Sequence, residues 1–274
     1  DNYNTAVGFN SGGNITTGTL NTIVGASAGA ANTFVASAVT LLGYNAGNAV
    51  TSAGADGLTA IGKDACELVT SVAATAVGAN ALSSLISGSG NTAVGQDSLT
   101  ATTATSNTAV GTFSGLSNTS GTNNVFLGNS SGKFSTTGAQ NTFLGSAAGQ
   151  GITGTKLTGN NNVAVGYKSG LLLQGAATLN TFVGVDSGVA VTTGTHNTIL
   201  GAVAGDSLTT GTYNIAIGHN ALGNEQTGTN ATAVGVGALG TQRYDGDTHN
   251  TAIGHNALSA TSEGRLNTAV GSFA

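Results

Sequence analysis

Side chains that could carry out chemistry are few and scattered in this sequence. Eleven carboxylates and four histidines are spread over 274 residues. Catalysis by a carboxylate pair needs two acids that face each other, one to donate a proton and one to accept it. Asp64, Asp97 and Asp186 each stand two residues after a recurring glycine, and asparagine often fills the same place elsewhere. Because Asx residues are common turn formers, we interpret these aspartates as turn residues and predict no catalytic residue.

The histidines and the single cysteine form no recognisable metal or nucleophile motif. His219 and His255 share one place in the repeat, and His196 and His249 share another, but no second type of ligand stands beside them. The HExxH spacing of zinc proteases is absent. Cys66 fills a place that is otherwise glycine or leucine, so it is interpreted as a buried thiol. No metal and no cofactor are expected; the open alternative is a metal held by three copies of one histidine on a threefold axis.

The densest group of polar and aromatic side chains is the segment 242–247, with the sequence QRYDGD. Long loops on a rigid scaffold often carry recognition, because they can vary without disturbing the fold. A weaker group of the same kind is the pair that follows the glycine at 166. The alternative interpretation of both groups is an ordinary solvated loop without a binding role. The candidate binding residues are Arg243, Tyr244, Asp245, Asp247, Tyr167 and Lys168.

These residues are positioned by a five-residue phrase, NTAVG at 267–271, which recurs along the whole chain. Exact or varied, it occurs sixteen times. Counting its glycine as position 0, position −1 is Val, Leu or Ile in all sixteen repeats and position −2 is always apolar. Position −3 is Thr in thirteen repeats, and position −4 is Asn in twelve. A near-fixed period of about 17 residues marks a repeat architecture, and it fits two short strands and two turns.

The sequence therefore predicts an all-β fold, a parallel β-solenoid or β-roll of about sixteen 17-residue coils. The repeats leave no gap for a boundary, so residues 1–274 are expected to form a single elongated repeat domain. The coils over roughly residues 30–75 are irregular, since Val39, Leu58 and Ala74 replace the asparagine, and the coils over 76–274 are regular. The asparagine column is expected to form a hydrogen-bonded ladder from coil to coil.

Alternation along a strand assigns the faces of each coil. Positions −3 and −1 point the same way, and Thr at position −3 is replaced only by Val or Ile. This face is therefore expected to be the interior of the coil. Position −2 would then point outward although it is always apolar, so we expect copies of the same chain to cover it. The expected contacts between chains are Ile23, Phe126, Phe143, Phe182 and Ile199.

The pattern NTAVGxNAL, which stands as NIAIGHNAL at 214–222, resembles repeats of bacteriophage tail fibres that often precede an intramolecular chaperone domain. The repeats are also similar to the head repeats of trimeric autotransporter adhesins. Their core of aliphatic-Ala-aliphatic-Gly-x-x-Ser has its end matched at Gly111–Ser114 and Gly166–Ser169. The resemblance covers essentially the whole chain and implies a left-handed parallel β-roll assembled as a homotrimer. The coil of about 17 residues is longer than the adhesin coil, so the turns are expected to differ.

Composition and charge narrow the possible partners. Charged residues make up only 6% of the chain, and the formal net charge is −5. No cluster of Lys and Arg occurs, so nucleic acid is not an expected partner. No run of about eighteen uninterrupted apolar residues occurs either, so no membrane insertion is expected. The expected partners are the chain itself, as a homotrimer, and a glycan or protein on a host or target cell surface.

The expected function is structural and adhesive rather than enzymatic. The chain would be a segment of an extracellular trimeric fibre, a virion tail fibre above all, that spans distance and contacts the host cell surface. The alternative is a bacterial surface adhesin of the trimeric autotransporter type. Two further classes receive less weight. An ice-binding solenoid would need the Thr column to point outward, and a glycan-cleaving spike would need facing carboxylates.

Overall fold

The computed structural model describes residues 2–70, 72–244 and 246–274. The chain is an all-β parallel solenoid of about sixteen coils with a spacing near 17 residues, which confirms the predicted fold class. It forms two compact units, residues 1–137 and 138–274. The organisation of all 274 residues as one domain stays a prediction.

Each coil contributes one short strand that ends just before the repeat glycine. The strands of the first unit are β1 (Thr5–Val7), β2 (Thr22–Val24), β3 (Thr40–Leu42), β4 (Thr59–Ile61), β5 (Ala74–Val77), β6 (Asn91–Val94), β7 (Thr108–Val110) and β8 (Val125–Leu127). Those of the second unit are β9 (Thr142–Leu144), β10 (Val163–Val165), β11 (Thr181–Val183), β12 (Thr198–Leu200), β13 (Ile215–Ile217), β14 (Thr232–Val234), β15 (Thr251–Ile253) and β16 (Thr268–Val270). A 3₁₀ helix, Ala53–Ala55, lies between β3 and β4.

Within each unit, consecutive strands pair in parallel and in register. In the first unit, Thr92 pairs with Thr108 and Ala93 with Ala109. In the second unit, the pairing of β11 with β12 follows the same rule. Each strand position of the repeat therefore stacks on the same position of the next strand. A column of the sequence repeat becomes a continuous row of side chains on its unit.

The interior of the coil is formed by position −2, opposite to the sequence-based expectation. Ile23, Phe126, Phe143, Phe182 and Ile199 are all fully buried within one chain. They are not available to a second chain, so the prediction that they form contacts between chains is wrong. The reason is strand parity: positions −4 and −2 share a face, and the asparagines at position −4 are themselves buried.

Positions −3 and −1 point outward instead. Leu144 and Val183, both at position −1, are 39% and 38% exposed, and Thr142 at position −3 is exposed as well. Neither position carries a charged residue in any of the sixteen repeats. We call this row of threonine and aliphatic side chains the outward stripe. It comprises positions −3 and −1 of β1–β8 in the first unit and of β9–β16 in the second.

The asparagines at position −4 form the buried ladder that the sequence predicted. Asn180 Oδ1 accepts hydrogen bonds from the backbone N–H of Asn197 at 3.0 Å and from the Nδ2 of Asn197 at 3.1 Å. The Nδ2 of Asn180 in turn donates to the carbonyl of Gly194 at 2.8 Å. A buried amide costs free energy unless it is hydrogen-bonded. Here each coil supplies the partners of the preceding one, which is why an interior position can be polar.

Positions −2 and +4 share the small volume inside each coil. A Cβ on Gly132 or Gly149 would lie 2.3 or 2.5 Å from ring atoms of Phe126 or Phe143. Every repeat with Ile, Leu or Phe at position −2 has glycine at position +4, and every repeat with leucine at position +4 has alanine at position −2. Leu82 is one such leucine, and it is fully buried although its φ is +53°. Interior volume, more than backbone preference, therefore decides which residue stands at position +4.

Exchanging the large and the small residue of one coil, Phe143 and Gly149, tests whether they share this volume. Gly149→Leu alone should destabilise the protein by about 1–3 kcal/mol through overpacking. Phe143→Ala alone should cost about 3–5 kcal/mol through the cavity it leaves. The double variant should be more stable than the sum of the two changes, because the leucine fills the space left by the ring. Denaturant unfolding followed by circular dichroism gives the coupling energy, and an additive cycle would contradict the shared-volume interpretation.

Candidate functional site

The polar segment 242–247 lies in the connection between β14 and β15. Arg243 is exposed, and its backbone N–H donates to the carbonyl of Ser262 at 2.8 Å. Tyr244 is half-buried, and its hydroxyl accepts a hydrogen bond from Arg265 Nη1 at 3.2 Å. The guanidinium carbon of Arg265 is 5.8 Å from the centroid of the tyrosine ring. A guanidinium over an aromatic ring is attracted by its π electrons, so the following coil helps to orient Tyr244.

Asp247 is tied to the preceding coil. Its Oδ1 accepts hydrogen bonds from the hydroxyl of Thr229 and from the Nδ2 of Asn230, the latter at 3.3 Å. The hydrogen bond from Thr229 is the main cause that lowers the pKa of Asp247, and the nearby His249 acts in the same direction. The carboxyl is therefore an ionised acceptor at neutral pH. Asp245, the fourth predicted residue of this segment, lies outside the described residues.

The connection thus brings three of the predicted residues together with three from neighbouring coils. The set offers guanidinium donors, a carboxylate acceptor, a hydroxyl, an amide and an aromatic ring. Ring faces pack on the C–H faces of sugars, and the polar groups can bond to sugar hydroxyls, so a glycan fits this chemistry. We call the set the loop surface. It consists of Thr229, Asn230, Arg243, Tyr244, Asp247 and Arg265.

The second predicted pair stands apart from the loop surface. Tyr167, which follows β10, is 49% exposed, and the Nζ of Lys168 lies 5.0 Å from its ring centroid. The loop surface lies next to β15, five strands further along the second unit. Five strand spacings of ~4.8 Å correspond to about 24 Å. Tyr167 and Lys168 are therefore a separate exposed pair, held together by their own cation–π contact.

An aromatic stack beside the loop surface was missed by the sequence analysis. The rings of His196 and Tyr213 are stacked, with centroids 4.6 Å apart and an angle of 19° between their planes. Both residues precede a ladder asparagine and have left-handed backbones, with φ of 59° and 58°. The next residue in this column is Asn230 of the loop surface. The signal was available, because Tyr213 stands 17 residues after His196, at the same place of the next repeat.

The isolated carboxylates and the cysteine have structural roles. Asp97 has a left-handed φ of 55° and accepts a hydrogen bond from the Nδ2 of Asn80 at 2.8 Å. Asp64 makes the same contact with Asn45 at 3.2 Å, which confirms the interpretation of both as turn residues. Burial raises the pKa of the Cys66 thiol to about 12. The reactive thiolate is therefore scarce at neutral pH.

Within residues 2–70, 72–244 and 246–274, no three His, Cys, Asp or Glu side chains are grouped so as to hold a metal ion. No helix in the same ranges is both long and apolar enough to cross a membrane.

Comparison with known proteins assigns no family to the chain. No protein-family model matches it. No curated protein matches its sequence at a significant level. Function is therefore inferred from the outward stripe and the loop surface themselves.

Removing the hydroxyl of Thr229 tests the environment of Asp247. In Thr229→Ala the pKa of Asp247 should rise toward the ordinary aspartate value of about 3.9. Since the native pKa is lowered, the contact stabilises the folded protein above the ordinary carboxyl pKa, and this stabilisation is lost as the pH falls through the lowered value. NMR titration of the carboxyl carbon measures the change, and Thr229→Ser, which keeps the hydroxyl, is the control. An unchanged pKa in Thr229→Ala would show that the hydroxyl is not the cause.

Proposed function

We propose that this chain is the structural and adhesive segment of a trimeric extracellular fibre, of the phage tail-fibre kind. Its role is to span distance between its carrier and a host cell and to present recognition residues at the cell surface. The ladder of coil-to-coil hydrogen bonds in each unit supports a stiff spacer, because each coil is bonded to the next. The proposed localisation is extracellular, on a virion tail fibre.

The outward stripe is the observation that carries this proposal. It is aliphatic at position −1 in all sixteen repeats and free of charge, yet its side chains are partly exposed in the single chain. The coil interior does not require this composition, because these side chains point away from it. Exposed apolar rows of this extent are typical of interaction surfaces. The partner proposed here is the chain itself, in a homotrimer.

The size of the stripe fits self-association. Eight strands at ~4.8 Å and a width of three strand residues give about 380 Å² per unit. This is about half of the ~800 Å² that each partner buries in a standard interface, so the stripe of one unit is large enough to form a substantial part of such a contact. The trimer contacts proposed at the five interior residues are replaced by contacts at position −1 and position −3. Leu127, Leu144 and Val183, which are all partly exposed, are examples.

The loop surface supplies the adhesive part of the proposal. Arg243, Tyr244 and Asp247 project from one connection of a rigid unit and are exposed or half-buried. A homotrimer presents this surface three times. Weak contacts repeated on one rigid body gain avidity without new chemistry, so a modest affinity per copy is sufficient. The proposed ligand is a glycan or protein on the host cell surface.

Ice binding is a second candidate function that one specific observation favours. The threonines at position −3 point outward, which removes the sequence-based reason for giving this function less weight. In the first unit, seven successive strands place Thr in register. Hydroxyl and methyl groups repeated at about 4.8 Å on an uncharged row are suited to ordering water. Thermal hysteresis in the wild-type protein that disappears in Thr92→Lys would favour this function over the fibre.

A bacterial surface adhesin remains the alternative carrier of the same fibre. Both carriers would use the outward stripe for assembly and the loop surface for attachment. The full gene separates them: an intramolecular chaperone domain after the repeats indicates a phage, whereas a coiled-coil stalk and a membrane anchor indicate a cell.

Placing a charge on the outward stripe should prevent assembly. Leu144→Lys puts an ammonium group into the proposed interface, where it would be buried without a partner. Ser146→Lys is the matched control, because it adds the same charge to an exposed residue of the same coil outside the stripe. Native mass spectrometry should show a trimer for the wild type and for Ser146→Lys and a monomer for Leu144→Lys. A monomeric wild type, or a trimeric Leu144→Lys, would contradict the proposed interface.

Truncating the ring of the loop surface should weaken attachment without affecting assembly. Tyr244→Ala removes the aromatic face and the partner of Arg265, and we expect a loss of about tenfold in binding, as for an interface residue of high energetic weight. Tyr167→Ala, at the separate exposed pair, is the control for loss of a surface tyrosine. Binding of labelled trimer to a panel of intact bacterial cells and their purified surface glycans measures the effect. Unchanged binding by Tyr244→Ala would exclude the loop surface as the attachment site.

A further inference from the structure

Glu225 is a charged residue in the core of the second unit. It stands at position +7 of its repeat, where the two preceding repeats have Val191 and Leu208. All three side chains are fully buried. The next residue in the column is Gln242, which is also fully buried. Along these coils of the second unit, position +7 therefore changes from apolar to polar at the coil that precedes the loop surface.

Both oxygens of Glu225 are hydrogen-bonded. Oε1 accepts from the backbone N–H of Gln226 at 3.0 Å and of Gly228 at 2.8 Å. Oε2 accepts from the Nε2 of Gln242 at 2.9 Å and from the backbone N–H of Tyr244 at 3.3 Å. Oε1 therefore caps the turn that follows Glu225, and Oε2 binds two groups of the next coil.

Gln242 connects this carboxylate to the asparagine ladder. Its Oε1 accepts a hydrogen bond from the Nδ2 of Asn250 at 2.9 Å. Asn250 belongs to the ladder, since its Oδ1 accepts from the backbone N–H of Asn267 at 2.9 Å. These hydrogen bonds thus connect the asparagine ladder, through Gln242 and Glu225, to the backbone of Tyr244. The loop surface is anchored at its aromatic residue.

The carboxylate is not needed to close the turn. Leu208 and Val191 occupy the same place without any capping group. Asn118, at this place in the first unit, caps its turn with one oxygen that accepts from Gly121 at 3.1 Å. A buried carboxylate costs free energy unless it is fully bonded, and a well-packed apolar residue at such a site is often neutral or stabilising. Unlike these alternatives, Glu225 also accepts hydrogen bonds from Gln242 and from the backbone of Tyr244.

We propose that Glu225 is a positioning residue, which acts together with Gln242 to hold the backbone at Tyr244 and so fixes the loop surface in a binding-ready arrangement. This inference rests on the proposed function for the meaning of the loop surface. A loop ordered in advance loses less conformational freedom on binding and so binds more tightly. Glu225 itself lies buried beneath the loop and does not contact the ligand.

Tryptic cleavage after Arg243 reports on this anchor directly. The bond that trypsin cuts there is the peptide bond whose N–H donates to Glu225 Oε2. Glu225→Leu installs the residue type found at the same place as Leu208 and removes the anchor. We expect cleavage at Arg243 to become about tenfold faster, the factor that loss of one buried hydrogen bond gives to local opening. Cleavage after Lys156, in another long connection of the same unit, is the internal reference and should not change.

Two further variants separate positioning from general stability. Glu225→Leu with Gln242→Leu restores an apolar column, so it should fold well and still show fast cleavage at Arg243. Leu208→Ala, one coil earlier, lowers the unfolding temperature but leaves the anchor in place, so cleavage at Arg243 well below that temperature should stay at the wild-type rate. Equal rates at Arg243 in wild type and in both Glu225 variants would overturn the proposal. An equal acceleration at Lys156 would overturn it as well, because the effect would then be general.

Attachment is measured separately on the same proteins. In the double leucine variant, binding to cells or glycans should fall about tenfold while the trimer persists, because the loop must then be ordered during binding. Wild-type binding tests the proposed function by itself. Cleavage at Arg243 tests the anchor by itself, so failure of one is distinguishable from failure of the other.

Discussion

The small volume inside each coil is the constraint on which the rest of the structure depends. That volume admits one large side chain, either from the strand or from the turn after it, but not both. Phe126 fits because Gly132 stands opposite, and Leu82 fits because its strand offers only Ala76. In interiors packed at crystal-like density, adding or removing even one methylene changes the stability. With the interior filled and the ladder asparagines bonded, the packing inside the coil places no further demand on the outward side chains.

The period, the strand count, the parallel register and the asparagine ladder could be predicted from the sequence, because each is a direct consequence of repetition. The faces could not be assigned from hydrophobicity, because both sides of the strand are apolar. Strand parity would have settled them: Asn141 and Phe143 are two residues apart and share a face, so a buried ladder implies a buried phenylalanine. The pairing of Phe143 with Gly149 was a second signal. If both residues pointed outward, the size of one would not depend on the size of the other.

The loop surface was only partly predictable. Tyr244 and Asp247 stood out as polar residues in a long connection, but their partners come from neighbouring coils. Arg265 is 21 residues from Tyr244, and Thr229 is 18 residues from Asp247. These separations exceed one period because the connection is long, so column counting does not pair them. Glu225 was different, since a single carboxylate in a column with Leu208 and Val191 was visible in the sequence and required only that the column be recognised as interior.

The outward stripe and Glu225 are opposite departures from the same rule. At the stripe, side chains that face solvent are apolar or threonine in every repeat, although lysine or glutamate would keep a single chain soluble. At Glu225, an acidic side chain is buried where apolar residues suffice in the two preceding coils. Local rules are broken mainly at functional sites, because elsewhere the cost has no compensating gain. In the proposed fibre, the stripe gains a partner surface, and the carboxylate gains a fixed loop. The two departures need no common ligand: under this proposal the strands serve assembly, and one connection serves recognition.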